Sequence, residues 1–399
     1  QTDGLPYPEF FLTSMPEMTM LYLTSGLSKY PMDLLIPDAI KQQQPDGLFY
    51  DRSVAHGQII PATQGHILYS IAMTAIFTQD KGFAEKVYPS IEKGIQYIQR
   101  SIDTDEYGLL PPCYAYDAEM ISGHYTGQNL FALMGLRTCV RVAGLLGKTK
   151  DVAAWTALAN RYEKNILRAI DASANQGGYI PPGFYAYLTG SKARDGFQEY
   201  QTNCDWENMI LAYPTEILGP DDPRVKGTLS QIRKEYAEGV MTYRHGMHLH
   251  QYITSNMVEQ YLATGNEYTA LKDFYHQLLH SGSTLECFEN LVKPWTDRSV
   301  DPECPTPHAW GSAKQALMVR YFLLMEYGGK CGLEPGKREL WLFNCLSPEW
   351  VRPGKRVAVA NAATEFGKIN ASMTFREKGA DVLLKNQFHT NPAYYRIRI

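Results

Sequence analysis

The sequence LFALMGLRTCVRVAGLLGKTKDVAAWTALANRYEKNILRAI, residues 130–170, contains two kinds of helical pattern in succession. Residues 130–146 are apolar on nearly every side. The apolar residues that follow recur at i, i+3 and i+4 and so form one stripe: Val152, Trp155, Leu158, Ala159, Tyr162, Ile166 and Ile170. The short link 147–150 between the two patterns is typical of antiparallel neighbours. A helix buried all round beside a helix buried on one side predicts an inner and an outer layer.

The two patterns alternate from about residue 10 to residue 328. Further amphipathic stripes occur in residues 67–76, 87–98, 225–236 and 271–279. Residues 315–325 (QALMVRYFLLM) are apolar on most sides and should therefore be buried on most sides. Counting in this way gives about ten to twelve helices. The sequence predicts a mainly α fold of five or six helix hairpins, with buried inner helices covered by amphipathic outer ones.

The pattern changes after Glu339. Short runs bounded by Gly, Pro and Asn are typical of antiparallel β-strands. Such runs are Leu340–Leu346, Arg356–Asn361, Ala371–Phe375, Asp381–Lys385 and Tyr394–Ile399. Residues 326–339 (EYGGKCGLEPGKRE) are rich in Gly and charge, which indicates a linker. The sequence therefore predicts a helical domain over residues 1–330 and a small C-terminal β-sandwich-like domain over residues 339–399.

The composition narrows the class of partner. The chain has 399 residues and a net charge of -4, with no block of basic residues, which argues against nucleic acid and anionic membranes as partners. Charges and prolines interrupt every apolar run that could span a bilayer. The 27 Tyr, 15 Phe and 6 Trp suit sugars, because aromatic rings match the apolar faces of sugar rings. We expect an oligo- or polysaccharide partner.

The cysteines indicate neither a disulfide scaffold nor a metal site. The seven Cys are scattered, with no C-x-x-C pair and no metal-ligand spacing with His. No motif calls for a cofactor. The chain begins at Gln1, without an initiator Met or a signal-like apolar stretch. That start is typical of a processed or trimmed product, and we expect a secreted or periplasmic protein.

Long loops without periodicity mark the candidate functional end. They are rich in aromatic, polar, Gly and Pro residues and cover residues 44–61, 103–124, 172–205 and 284–309. Loops of this length usually carry function. Because they recur before the more buried helices, we expect them to gather at one end of the ring.

The first candidate segment is 203–208, Asn-Cys-Asp-Trp-Glu-Asn. We expect it to enter a new helix, which would place Asp205 and Glu207 near a helix N-terminus, where backbone N–H groups favour anions. The functional interpretation is a catalytic carboxylate pair flanking Trp206, which would stack on a sugar. The alternative is a capped helix start with a core Trp, and such caps are common.

The second candidate segment is 283–298, which contains Glu286, Glu289 and Trp295. It leads into His308 and Trp310, just before a buried helix. Glycoside hydrolysis normally requires two carboxyl groups, and this connection offers carboxylates beside a His and two Trp. The alternative is a surface loop with ion pairs, although exposed Trp is uncommon without a role.

The remaining candidates for sugar binding are polar or aromatic residues of the other loops: Arg52, Gln58, Tyr116, Asp117, Glu119, His124 and His245. Three His within residues 245–250 suggest a metal. However, His248 and His250 lack the i, i+4 spacing of zinc helices, and no H-E-x-x-H motif occurs. We expect hydrogen bonding from them instead. Motifs of serine hydrolases and phosphate-binding loops are also missing, which favours acid–base chemistry by carboxylates.

These segments make nearly the whole chain resemble the six-hairpin glycosidases, the (α/α)6 toroids, especially their α-L-rhamnosidase and glucoamylase-like branches. Residues 284–289 (TLECFE), followed by Trp295, are similar to a rhamnosidase segment in which a Thr-rich loop delivers a Glu base. Residues 307–310 (PHAW) resemble the His-aromatic turn that follows it. The aromatic–Glu order of residues 288–289 favours Glu289 over Glu286 as the base. The Gly-Trp-rich stretch that carries the rhamnosidase acid has no match in this sequence.

The resemblance implies a glycoside hydrolase that is exo-acting and inverting. Inversion requires two carboxyl groups roughly 6.5–9.5 Å apart. The candidates for the acid are Asp205, Glu207, Asp117 and Glu119. Two alternatives remain open. One is a polysaccharide lyase or sugar epimerase on the same toroid, in which Tyr or His moves a proton. The other is a carbohydrate-binding protein with an inactive site.

Overall fold

The computed structural model describes residues 11–49, 63–112, 123–185, 205–243, 246, 248–289, 291–292 and 306–398. Most of these residues are helical up to residue 323. The helices are α1 (Met15–Thr24), α2 (Ile36–Lys41), α3 (Thr63–Thr78), α4 (Lys81–Thr104), α5 (Thr126–Leu145), α6 (Thr149–Ser173), α7 (Pro223–Arg233), α8 (Thr254–Thr264), α9 (Glu267–Leu279) and α10 (Ala309–Leu323).

Short links join consecutive helices into hairpins. Gln79 and Asp80 separate α3 from α4, and Gly265 and Asn266 separate α8 from α9. The Asp80 carboxylate accepts a hydrogen bond from the backbone N–H of Phe83 at 2.9 Å, which caps the start of α4. Gly265 ends α8 with a φ of +76°, a conformation that glycine adopts without steric cost. Local chemistry therefore sets where each hairpin turns.

Burial separates the helices into two layers. Helices α3, α5 and α8 are buried on nearly every side. In α4, α6, α7 and α9 the buried residues form a stripe along one face. The predicted mainly α fold with inner and outer helices is confirmed.

Two glycines allow the inner helices α3 and α5 to touch through their backbones. A Cβ atom added at Gly65 would lie 2.1 Å from the backbone carbonyl carbon of Phe131. One added at Gly135 would lie 2.7 Å from the carbonyl oxygen of Gly65. Because no side chain fits in either place, these positions require glycine.

The first turns of four inner helices meet at one end of the bundle. His66 of α3, Gly127 of α5, Asn256 of α8 and Trp310 of α10 all contact residues 206–207. We call this end the rim. Most residues of the predicted long loops lie outside the described residues. That these loops gather at the rim stays a prediction.

Short strands tie the rim loops together. They are β1 (His124–Tyr125), β2 (Gly183–Phe184), β3 (Thr242–Tyr243), β4 (His248–Leu249) and β5 (Leu291–Val292). β1 pairs antiparallel with β2, and β4 pairs antiparallel with both β3 and β5. These pairings bring loops that are distant in sequence next to each other.

The C-terminal region forms two three-stranded sheets. The strands are β6 (Leu324–Tyr327), β7 (Glu339–Leu342), β8 (Arg356–Thr364), β9 (Gly367–Phe375), β10 (Ala380–Phe388) and β11 (Tyr394–Ile397). One sheet has the order β10-β9-β8, and the other has the order β11-β7-β6 with β11 parallel to β7. Leu340, Leu342 and Phe366 help to form the core of this region, while Trp341 packs into the helical core. All five predicted strands are present.

The sequence prediction missed strand β6. We expected a helix over residues 315–325 and a linker over 326–339, but α10 ends at Leu323 and passes directly into β6. β6 then pairs with β7, so that Leu324 lies opposite Leu342. The helix and the strand share one continuous apolar run, and periodicity alone does not show where such a run changes conformation.

Buried ion pairs hold the C-terminal sheets to the helices. Arg338 binds Glu365 at 2.7 Å through Nε and Glu216 at 2.6 Å through Nη1. Arg141 of α5 also reaches Glu365, at 3.2 Å. Burial alone would raise the pKa of Glu365, but the two guanidinium groups lower that pKa to about 2. We call this cluster the junction.

Within the described ranges, no helix is both long enough and apolar enough to cross a bilayer.

Candidate active site

Asp205 is a buried carboxyl group at the rim. Its Oδ1 accepts hydrogen bonds from the Tyr179 hydroxyl at 2.9 Å and from the Asn208 side-chain amide at 2.5 Å. Burial raises the pKa of Asp205 to about 6, although both hydrogen bonds act to lower it. A carboxyl group with this pKa holds a proton at mildly acidic pH.

Within the described part of this segment, from residue 205 onward, the expected helix is absent. Residues 206–214 form successive turns rather than an α-helix. The environment of Asp205 and Glu207 is therefore set by burial and by side-chain partners. The prediction that both lie near a helix N-terminus was wrong. Pro214 helps to explain the difference, because the residue before a proline avoids helical backbone angles.

Glu207 lies at the centre of the rim. Its Oε1 is 3.0 Å from Nε2 of His66, whose ring stacks on Phe131 with centroids 3.7 Å apart. A Cβ atom added at Gly127 would lie 2.3 Å from the Glu207 Oε2, so the glycine makes room for this carboxylate. That Oε2 atom is buried and has no hydrogen-bond partner among the described residues.

Aromatic rings surround Trp206. Its ring centroid is 5.9 Å from that of Trp310, 6.0 Å from that of Tyr252, 5.3 Å from that of His250 and 6.3 Å from that of Tyr243. Neither indole N–H, that of Trp206 or that of Trp310, finds a hydrogen-bond acceptor within the described part of the chain, although both are buried. Trp206 precedes Glu207 in the chain, and Trp310 lines the same cavity as Glu207.

A small cavity lies beside Glu207 and between the inner helices. Its volume is about 30 Å³, which is enough for a water molecule. Its lining residues include Phe131, Glu207, Asn256, Glu259, Trp310 and Lys314. Burial raises the pKa of Glu259 to about 8, against the lowering effect of Lys314. Glu259 is therefore largely protonated at neutral pH.

His308 caps α10 at the rim. Its Nδ1 accepts a hydrogen bond from the backbone N–H of Gly311 at 3.2 Å, and its ring lies against Tyr252 with centroids 4.7 Å apart. Burial lowers the pKa of His308 to about 3, so the ring is neutral. This geometry makes His308 a helix cap close to the aromatic cluster.

The two carboxylates of the second candidate segment differ in their surroundings. The Glu286 Oε2 turns back to accept hydrogen bonds from the Thr284 hydroxyl at 2.5 Å and the Thr284 backbone N–H at 3.0 Å. The hydroxyl hydrogen bond lowers the pKa of Glu286. Glu289 is half-buried and follows Phe288, whose N–H donates to Gln251 at 3.2 Å.

Strand pairing places the described part of that segment at the rim. Leu291 of β5 lies opposite Leu249 of β4, close in sequence to His250 and Tyr252, which surround Trp206. The backbone N–H of His308 donates to the Cys287 carbonyl at 2.8 Å. The candidate acids of residues 205–207 and the candidate bases of residues 286–289 therefore share one rim.

His124 belongs to a separate cluster near the start of α5. Its Nε2 is 2.8 Å from Asp105, and its ring meets Tyr107 edge-on at 5.4 Å. Tyr107 in turn stacks on Tyr185 with centroids 3.7 Å apart. Sequence reasoning had named His124 but not these partners.

Several predicted binding residues lie outside the described residues. These are Arg52, Gln58, Tyr116, Asp117, Glu119, His245 and Trp295. Within the described residues, no group of three or more His, Cys, Asp or Glu side chains is arranged to hold a metal ion.

Sequence reasoning missed the polar residues inside the inner helices. Asn256, Glu259 and Lys314 lie near the cavity, and Tyr252 lies under Trp206. A usable signal existed, because Lys314 is a lone charge in the apolar first half of α10 and Glu259 occupies a fully buried helix. Charged residues are almost never buried without a partner.

Comparison with known proteins gives matches in structure only. No protein-family model and no curated protein matches the sequence. A solved wild-type glycosidase is 14% identical, with the match covering 84% of this chain and 92% of its own, at a TM-score of 0.55. The GH78 family rhamnosidase of Bacillus sp. GL1 is 15% identical, covering 98% of this chain and 39% of its own, at a TM-score of 0.62.

A bacterial glucoamylase solved with acarbose is 12% identical, covering 78% of this chain and 48% of its own, at a TM-score of 0.55. At such identities the similarity is one of fold. The chain has the (α/α)6 toroid fold of these six-hairpin glycosidases, followed by a C-terminal β region, as the sequence predicted.

Proposed function

We propose that the protein is a glycoside hydrolase that acts on an oligo- or polysaccharide at the rim. One observation carries this proposal: the Glu207 Oε2 and the indole N–H groups of Trp206 and Trp310 are each buried without a partner among the described residues. Each such group costs about 1–3 kcal/mol. A bound sugar would supply the missing partners through its hydroxyl groups and its glycosidic oxygen.

Glu207 is the proposed proton donor. Its carboxylate lines the cavity, contacts His66 and lies beside two Trp rings on which a sugar can stack. Asp205 is the second candidate, because its pKa of about 6 suits a general acid. However, its Oδ1 is occupied by Tyr179 and Asn208.

Glu289 is the proposed base. Glu286 is the weaker choice, because its carboxylate is hydrogen-bonded within its own turn to Thr284. Activation of water by Glu289 implies inversion, with the two carboxyl groups roughly 6.5–9.5 Å apart. His308, Trp310 and His124 remain proposed sugar-binding residues.

The solved neighbours support the substrate class. They are named as a rhamnosidase, a glucoamylase complexed with acarbose and a glycosidase, and all share this toroid. By analogy of fold, we propose an exo-acting enzyme that removes terminal sugars. A secreted or periplasmic location belongs to the same proposal.

Hydrolysis of a panel of aryl glycosides and oligosaccharides, beginning with α-L-rhamnosides and α-glucosides, tests the proposal. We expect Glu207→Gln to lower kcat by about 10²–10⁴-fold, since general acid catalysis contributes that much. Glu85→Gln, on the exposed face of α4, is the matched control and should retain the parent rate. A Glu207→Gln variant as fast as the parent would remove Glu207 from the mechanism.

The anomeric outcome tests the role of Glu289. Proton NMR of the first product distinguishes inversion from retention. Inversion together with a kcat loss of about 10²-fold or more in Glu289→Gln supports the assignment. Sugar binding without turnover by the parent chain would instead favour the inactive binding protein.

A further inference from the structure

Lys314 is a buried cation beneath the rim. It lies in α10 with only 3% of its surface exposed. Its Nζ is 2.9 Å from the Glu17 Oε1 and 2.6 Å from the Asn256 Oδ1. A buried ammonium group is costly unless it is paired and hydrogen-bonded. Lys314 meets that condition by linking α10 to α1 and α8.

Asn256 continues the link to the candidate site. Its side-chain amide donates a hydrogen bond to the Trp206 carbonyl oxygen at 2.6 Å. That carbonyl belongs to the peptide bond between Trp206 and Glu207. An unbroken set of contacts therefore runs from Glu17 through Lys314 and Asn256 to the backbone of the proposed acid.

Three carboxyl groups surround the Lys314 ammonium group and differ in how they contact it. The carboxylates near it are Glu17 from α1, Glu259 from α8 and Glu207 from the rim. Glu259 is largely protonated at neutral pH. Glu17 is the carboxylate in direct contact, so the ammonium is held between α1 and Asn256.

We propose that Lys314 is a positioning residue that orients Glu207 through Asn256 and the Trp206 carbonyl. The inference rests on the proposed role of Glu207. The plane of the peptide bond before Glu207 sets the direction of its Cα–Cβ bond. A catalytic group displaced by about 1 Å can lose about 10²-fold in rate. A rotated peptide would therefore slow the chemical step more than it weakens sugar binding.

Two variants break the link at different points. Lys314→Met keeps the length of the side chain and removes its charge. Asn256→Asp keeps the shape and the acceptor for Lys314 but removes the donor to the Trp206 carbonyl. For both we expect kcat to fall about 10- to 100-fold, with KM within about 3-fold of the parent value. Lys86→Met, on the exposed face of α4, is the matched control.

A spectroscopic readout tests the link independently of activity. Glu follows Trp at one place in the whole sequence, residues 206–207. Protein labelled with ¹³C at Trp carbonyls and ¹⁵N at Glu amides therefore gives a single carbonyl–amide NMR correlation for this peptide bond. In Asn256→Asp we expect the Trp206 carbonyl resonance to move upfield, because the carbonyl loses its hydrogen bond. In Lys314→Met we expect a smaller upfield shift, because the Asn256 amide loses the ammonium group that orients it. In Lys86→Met the resonance should stay in place.

The outcomes separate this inference from the proposed function. A shifted resonance with reduced kcat and a nearly unchanged KM supports positioning. An unshifted resonance in Asn256→Asp overturns the inference, as does a shifted one with the parent kcat. If Glu207→Gln retains full activity, the proposed acid is wrong, and positioning of a catalytic group falls with it even where the resonance moves. If Lys314→Met does not fold, Asn256→Asp decides.

Discussion

The junction and the rim bury polar groups in opposite ways. At the junction, Arg338 is bonded to both Glu216 and Glu365, so each of these charges meets an opposite one. At the rim, a carboxylate oxygen of Glu207 and the indole N–H of Trp310 are buried with no partner among the described residues. Paired burial suits a structural role, whereas unpaired burial costs stability and is expected where a ligand completes the contacts.

We expect the largest effect on stability from removing an ion pair at the junction. Replacing Arg338 by Met removes a cationic partner from two buried carboxylates, Glu216 and Glu365. We expect a loss of about 3–5 kcal/mol in the free energy of unfolding. Urea denaturation measures this loss. The exposed pair of Arg376 and Asp381 provides the control, because Arg376→Met should leave the free energy of unfolding almost unchanged. Equal losses in the two variants would mean that burial of the junction adds nothing.

The second expected effect is a gain in the free energy of unfolding, from a substitution at the rim. The folded-state pKa of Asp205 is raised from 3.8 to about 6. Its protonated form therefore contributes stability that is fully present below about pH 4 and is lost as the pH rises through about 6. Asp205→Asn keeps the acceptor oxygen and cannot ionise. We expect it to be more stable than the parent by about 1–3 kcal/mol at pH 8.

Denaturation at two pH values checks this expectation. The gain in Asp205→Asn should vanish near pH 4, where the parent carboxyl is protonated as well. A variant that is less stable than the parent at pH 8 would show that Asp205 is stabilising when charged. Buried charge would then stabilise the rim as it does the junction.

The smallest effect compares two tryptophans. Trp310 has no acceptor for its indole N–H among the described residues, whereas the Trp341 N–H donates to Glu339 at 2.6 Å. We expect Trp310→Phe to raise KM about 2- to 10-fold, because one sugar hydrogen bond is worth about 0.5–1.5 kcal/mol. Trp341→Phe should lower stability and leave KM unchanged. A raised KM in the second variant alone would contradict the comparison.

The sequence predicted the layers of the fold well. Helical periodicity is a local property, so the stripe from Val152 to Ile170 and the apolar run 130–146 could be assigned directly to α6 and α5. The C-terminal strands were found for the same reason. The errors occurred where tertiary contacts determine the secondary structure. Residues 206–214 were expected to enter a helix but form turns. Leu324 continues a helical pattern but lies in a strand opposite Leu342.

The candidate site could be predicted only in part. The segment 205–207 was recognisable because two carboxylates flank a Trp. Its partners His66, Asn256 and Lys314 lie in three different inner helices. Each is a polar residue in an apolar helix, so each could be suspected alone. Their meeting depends on closure of the ring, which no single stretch of sequence encodes.

The direct passage from α10 into β6 bears on how this protein can be divided. Trp310 and Lys314 lie near the start of α10, and its last turn, at Leu323, is followed at once by Leu324 of the sheet. Arg320 in α10 also pairs with Glu326 in β6 at 2.6 Å. A shortened chain that ends near residue 330 would keep β6 without β7. The Leu324 side chain would then be exposed to water, and its backbone would lose its strand partner. Exchanging the C-terminal sheets between related chains would therefore have to carry α10, and with it part of the rim, as one inseparable unit.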